Sequence, residues 1–122
     1  MNAAKAIFQF YNTFGLKVYD ENSVPHDAAF PYMTYSLGFG GMNEPITLRM
    51  SIWYRSSSWN DADEKMLEIS NRLGEGGTMR IYDDGAVWLC KGVPFAQRLG
   101  DEKDDLIKRY IFNISANFIG KD

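Results

Sequence analysis

Two runs of alternating side chains limit what this chain can fold into more than any other feature. From Ile46 to Tyr54, the residues Ile46, Leu48, Met50, Ile52 and Tyr54 take one set of alternate positions, and Thr47, Arg49, Ser51 and Trp53 take the other. From Ile107 to Phe118, Tyr110, Phe112, Ile114, Ala116 and Phe118 alternate with Asn113, Ser115 and Asn117 in the same way. Successive side chains of a β-strand point to opposite faces, so this period of two predicts strands with one face in a core. The second run is long and aromatic, which predicts an interior strand. Arg49 and Trp53 fall on the face turned from the core, towards water or a partner.

The rest of the chain supplies helices and shorter strands. Ala3, Ile7, Phe10 and Phe14 recur at helical spacing with Ala4, Phe8 and Tyr11 beside them, predicting a helix over Ala3–Phe14 capped by Asn2 and stopped by Gly15. A short strand is expected at Leu16–Tyr19. Tyr32–Phe39 alternates around Met33, Tyr35, Leu37 and Phe39, and a turn cluster of Gly38, Gly40, Gly41, Asn43 and Pro45 joins it to Ile46–Tyr54 as an antiparallel hairpin. A second helix is expected from Asn60, with the Asn60 side chain as its cap. Asp61, Asp63 and Glu64 fall in its first turn, Ala62, Met66, Ile69 and Leu73 form its buried stripe, and Gly74 ends it. Thr78–Tyr82 and Ala86–Lys91 flank Asp83-Asp84-Gly85, a tight-hairpin signal. Lys91–Asp105 reads as a loop carrying Pro94-Phe95. Helix, strands, helix, strands predicts one α+β domain over residues 1–122, a small mixed, largely antiparallel sheet flanked by two helices.

Composition excludes several classes of function. A net charge of −3, a pI near 5.1 and no Lys/Arg cluster longer than two residues argue against a general nucleic-acid binder. The single Cys90 cannot form an intramolecular disulfide, which fits a reducing compartment. Met1-Asn2-Ala3-Ala4-Lys5 leads into an amphipathic stretch unlike a signal peptide, and no apolar run is long enough to span a membrane. Synthesis and folding in cytoplasm are expected.

Chemistry is sparse. His26, the sole histidine, stands in a polar segment and cannot complete a zinc set with one cysteine. Cys90 lies in phase with Trp88 and reads as a buried small hydrophobe with no base to activate it. Asp83-Asp84 and Asp104-Asp105 lack the spaced oxygen ligands of a calcium loop. Gly38–Gly41 lacks the Lys-Ser/Thr of a phosphate loop, and Gly74–Gly77 follows a helix instead of opening one. No catalytic, cofactor or metal residue is expected. The aromatic share of 15% is high for so small a core. Trp53 on an outward position, Trp59 before a helix and Phe95 in a polar stretch, with Arg49 and Arg98, form the expected contact set, since aromatics and arginine are enriched at interfaces.

Several short motifs occur together in order: Val24-Pro25, Phe30-Pro31-Tyr32 opening a strand, a strand ending Trp53-Tyr54, an acidic helix start at Asp61, Lys91-Gly92-Val93-Pro94-Phe95-Ala96-Gln97-Arg98, and Lys108-Arg109-Tyr110-Ile111-Phe112-Asn113-Ile114. This collinear set resembles the tail terminator and tail completion proteins of long-tailed bacteriophages and prophages, over nearly the whole chain after the first helix. The resemblance implies a structural protein without catalytic residues. Such a protein caps the finished tail tube as a ring, usually of six subunits, stops tube growth and presents a surface for the head. The implied partners are further copies of the chain, the tail tube protein and head–tail connector proteins, and the implied location is the tail or neck of the virion. Head–tail joining proteins of similar size also form rings and are the alternative. From another class, a small ligand-binding or enzymatic α+β domain would need a convergent polar pocket, which the sequence does not display.

Overall fold

The structure, a computed structural model, describes residues 2–40 and 44–120. Helix α1 (Ala3–Asn12) starts where Asn2 Oδ1 accepts the Lys5 amide at 2.9 Å, the expected cap. It stops before Phe14, because Thr13 Oγ1 donates back to the Phe10 carbonyl at 2.6 Å and Gly15 turns the chain with φ +77°. Phe14 is still buried, edge-on to Phe10 at 5.3 Å. Helix α2 (Asn60–Leu73) has Asp61 and Asp63 in its first turn, and the Gly74 amide closes it on the Ser70 carbonyl. Its cap differs from expectation. Trp59 is the N-cap residue without a side-chain bond, and Ser58 Oγ accepts the Asn60 amide at 3.1 Å. A hydroxyl two residues back takes the job given to Asn60, since Asn60 is already the first helical residue.

Six strands form one sheet: β1 (Lys17–Asp20), β2 (Tyr32–Tyr35), β3 (Ile46–Arg55), β4 (Thr78–Tyr82), β5 (Gly85–Gly100) and β6 (Ile107–Gly120). Their spatial order is β1-β2-β3-β6-β5-β4; β1 runs parallel to β2 and every other pair is antiparallel. The last strand is interior, as its aromatic run predicts. Leu48 faces Ile114, Met50 faces Phe112 and Ile52 faces Tyr110 across β3 and β6. These residues join Ile7, Phe10 and Tyr11 of α1 and Ala62, Ile69 and Leu73 of α2 in one buried core. Each fully buried Phe, Leu or Ile contributes about 1.5–3 kcal/mol by leaving water. Among the described residues no helix covers the opposite, outward face of the sheet.

Two strands depart from the sequence reading. β2 ends at Tyr35, not Phe39, because Ser36 leaves the ladder: its amide donates to the Arg49 carbonyl, but its hydroxyl, not its backbone carbonyl, accepts the Arg49 amide. Of the expected turn cluster, Gly41 and Asn43 lie outside the described residues. The segment Lys91–Asp105 is mostly not a loop. β5 continues to Gly100, with Gly92 to Phe95 bulged opposite Asn113 alone, where the register passes from Lys91↔Ile114 to Ala96↔Phe112. Asn113 Nδ2 donates to the Pro94 carbonyl at 2.9 Å, and a Cβ on Gly92 would come within 2.7 Å of the Asn113 carbonyl oxygen. Glycine and proline here mark a bulge inside a strand. At the β4–β5 turn the loop residues are Asp83 and Asp84. Gly85 already pairs with Tyr82, and it must be glycine because a Cβ would collide with the Ile119 carbonyl.

One core residue carries an unpaired polar atom. Tyr11 is fully buried beside Tyr35 and Phe10, at 5.6 and 6.0 Å between ring centroids, and its hydroxyl has no hydrogen-bond partner among the described residues. Burial, then the nearby Tyr35 hydroxyl, pushes its pKa above the ordinary tyrosine range. An unsatisfied buried hydroxyl costs about 1–3 kcal/mol. Tyr11→Phe keeps the ring and removes that cost, so thermal denaturation is expected to show a higher melting temperature, by roughly 3–5 °C per kcal/mol recovered. An unchanged or lower melt would show that the hydroxyl has a partner.

Candidate functional site: a protein-contact surface

The five residues expected at a contact surface fall into three places. Trp59 and Arg98 meet at the start of α2. Arg98 Nη2 donates to both carboxylate oxygens of Asp63, at 3.0 and 2.7 Å, and its Nε donates to the Tyr110 hydroxyl oxygen at 3.1 Å. The Tyr110 hydroxyl in turn donates to Asp63 Oδ1 at 2.5 Å. Arg98 Cζ lies over the Trp59 ring at 4.7 Å, and Tyr110 meets that ring edge-on at 5.6 Å. The hydrogen bond from Tyr110, then those from Arg98, hold the Asp63 carboxyl below its usual range. Helix α2 is thereby clamped to β5 and β6, and Trp59 serves as a staple at the helix start as well as a partly exposed ring.

Trp53 and Arg49 lie on the outward face of the sheet, as alternation predicts. The register puts Trp53 between Tyr32 of β2 and Arg109 of β6. Tyr32 stacks on the indole at 5.9 Å and 15°, and Arg109 Cζ lies over it at 4.2 Å. Trp53 Nε1 donates to Thr34 Oγ1 at 2.9 Å, and Arg109 Nε donates to Ser51 Oγ at 3.2 Å, so both buried hydroxyls of this face are satisfied. With Arg49 and Glu21, whose ion pair is 3.4 Å long, Trp53, Tyr32, Thr34 and Arg109 line a cleft of about 390 Å³. Arg109, Tyr32 and Thr34 were not in the contact set expected from the sequence. The cross-strand register that gathers them is the missing signal.

Phe95 is not at the tip of a loop. The bulge turns its ring onto Phe112, edge-on at 5.3 Å, with Lys91 Nζ 5.4 Å from its centroid. Its neighbour Val93 is instead thrown outward, 97% exposed.

A further group went unnoticed in the sequence. In β4 the expected polarity is inverted: Thr78, Arg80 and Tyr82 are partly buried, Arg80 lying over the Phe10 ring at 4.9 Å, while Met79 and Ile81 face outward. Ile81, Ala86 and Ile119 are aligned across β4, β5 and β6, and Met79 pairs with Trp88 in the neighbouring row. Met79, Ile81, Trp88 and Ile119 are 45%, 75%, 41% and 43% exposed, so this is a continuous apolar patch and not scattered residues. β4 is also an edge strand. Adjacent to the patch, Cys90 is only half-buried on the same face, its thiol pKa pushed up by desolvation, unlike the core position expected for it. His26 is exposed in a turn. Among the described residues no three His, Cys, Asp or Glu side chains are placed to share a metal ion, and no helix is long and apolar enough to cross a membrane. Comparison with protein-family models, with curated proteins and with solved structures found no match for this chain.

Two measurements test these placements. Asp63 is favoured as the carboxylate in the fold, so its stabilisation is complete above its unfolded value of about 3.9 and is lost as pH falls through its lower folded value. The melting-temperature difference between the native chain and Asp63→Asn is therefore expected to be constant near neutral pH and to shrink below about pH 4. A pH-independent difference would place the effect elsewhere. Phe95→Ala is expected to lower the stability of the isolated chain by about 2 kcal/mol, less than the ~3–5 kcal/mol of a fully buried phenylalanine. An unaltered melt would release Phe95 from the core and return it to a contact role.

Proposed function

We propose that this chain is a structural subunit that works by packing against copies of itself, as a ring-forming tail terminator that caps a bacteriophage tail tube and presents a surface to the head. The observation that carries this reading is the outward apolar patch of Met79, Ile81, Trp88 and Ile119 beside the unpaired edge of β4. Monomers seldom expose several large apolar side chains in one patch without a partner to cover them. The opposite edge of the same sheet, β1, likewise pairs with no further strand among the described residues. Two dissimilar surfaces at opposite ends of one sheet suit a head-to-tail contact, which closes into a ring when the rotation between copies permits. The collinear motifs set out above support the phage assignment, a ring of about six subunits, and partners in the tube and the head–tail connector.

The test combines light scattering over a concentration series with negative-stain images of the chain, alone and mixed with tail tubes of the same virion. Rings or capped tube ends are expected. Ile81→Asp should leave the monomer's melt unchanged, because the side chain is mostly exposed, and should weaken assembly by about 2 kcal/mol or more. A strict monomer that never co-sediments with tubes, or an Ile81→Asp chain that assembles normally, would overturn the proposal. Rings that bind heads and ignore tubes would shift the role to head–tail joining.

A further inference from the structure

The outward cleft holds a cation, Arg109, that forms no ion pair among the described residues. Arg109 lies across β3 with its Nε bound to Ser51 Oγ, and no carboxylate is within ion-pair distance of its guanidinium among the described residues. Burial, then the nearby Arg49 charge, holds Arg109 below the ordinary arginine range, while Glu21 and Tyr32 act the other way. Arg49 lines the same cleft, and its bond to Glu21 is long, at 3.4 Å. Two guanidiniums thus face one carboxylate, in a protein whose net charge is −3.

The shape of the cleft limits what could enter. Tyr32 and Arg109 stand on either side of Trp53, so the indole has no free face for a ligand ring. An arginine held by its planar face, with only Nε committed to Ser51, keeps the N–H groups of its two Nη atoms for an acceptor in that plane, a geometry suited to a carboxylate. Glu21 in the cleft and Asp101, which lines a smaller hollow on the Leu99 side of Arg109, oppose a polyanion such as a phosphodiester chain. A single carboxylate would compensate Arg109 without crowding either acid. At about 390 Å³ the space exceeds one small ion and suits a side chain with its flanking backbone.

We propose that this cleft is a carboxylate-recognition site that takes one acidic side chain of a protein partner between Arg109 and Arg49. It deepens the docking reading above and rests on it for the source of the acid. The same chemistry could come from a free dicarboxylate, and the experiment separates the two.

The chain, labelled with ¹⁵N, is titrated at constant ionic strength with the capped peptide acetyl-Gly-Glu-Gly-amide. Acetyl-Gly-Gln-Gly-amide, succinate and inorganic phosphate are titrated in parallel. The Glu peptide is expected to shift the Trp53 indole N–H and the Arg109 Nε–H saturably, and the Gln peptide to shift neither. Arg109→Gln should abolish the response. Arg49→Gln, at a mostly exposed side chain whose loss leaves the core intact, should weaken it by about tenfold or more. A flat titration, equal binding of the Gln peptide, or no effect of Arg49→Gln would overturn the site. Tighter binding of phosphate would overturn carboxylate selectivity, and succinate binding with the peptide excluded would overturn the protein source. A chain that binds the peptide but never forms rings defeats the ring reading alone, whereas rings with a flat titration defeat the cleft alone.

Discussion

The pairing of β3 with β6 determines which side of this protein is inside. It runs from Ile46↔Ala116 to Arg55↔Ile107 without a break and puts Leu48, Met50, Ile52, Tyr110, Phe112 and Ile114 on one face. A slip of one residue would send Phe112 and Ile114 to water and Arg109 into the core, so the register is held by the whole apolar set at once. The remaining strands are added outward from this pair, and the buried residues of both helices join the same core.

The bulge in β5 depends on that ladder and gives it a second use. Four residues facing Asn113 alone shift the phase of the strand, and the shift lets Phe95 lean on Phe112 while Arg98 reaches Asp63 and Tyr110. Gly92 permits the close approach to β6, and Asn113 satisfies a carbonyl that the distorted ladder leaves over. The N-terminus of α2 is thereby tied to the two longest strands by a charge-assisted network, not only by apolar contact.

The uncovered face of the sheet is divided by chemistry. At the β4 end it is apolar, with Ile81, Trp88 and Ile119, and at the β2–β3–β6 end it is aromatic and cationic, with Trp53, Arg49 and Arg109. For a subunit that docks by this face, the two ends would do different work. The apolar end supplies burial, and the cationic end supplies orientation and discrimination between partners.

The alternation of residues 46–54 and 107–118 decided by itself that this chain builds a sheet with one buried face, and helical spacing decided both helices and most of their buried residues. Asn2 as a cap and Gly74 as a stop were legible too, because capping is chemistry between residues a few positions apart. Contacts between distant residues were not legible. Nothing near Phe95 in the chain tells that its ring rests on Phe112, and a Gly-x-Pro stretch reads as a loop until a facing strand supplies Asn113. The outward turn of Met79 and Ile81 reverses what apolar side chains do in isolation, and it is imposed by pairing with Trp88 and Ala86 while Arg80 lies on Phe10. The cleft is the strongest case. Glu21, Arg49 and Arg109 come from separate elements, and only the cross-strand register brings them together, since side-chain period two says which face a residue is on but not which residues of other strands stand beside it.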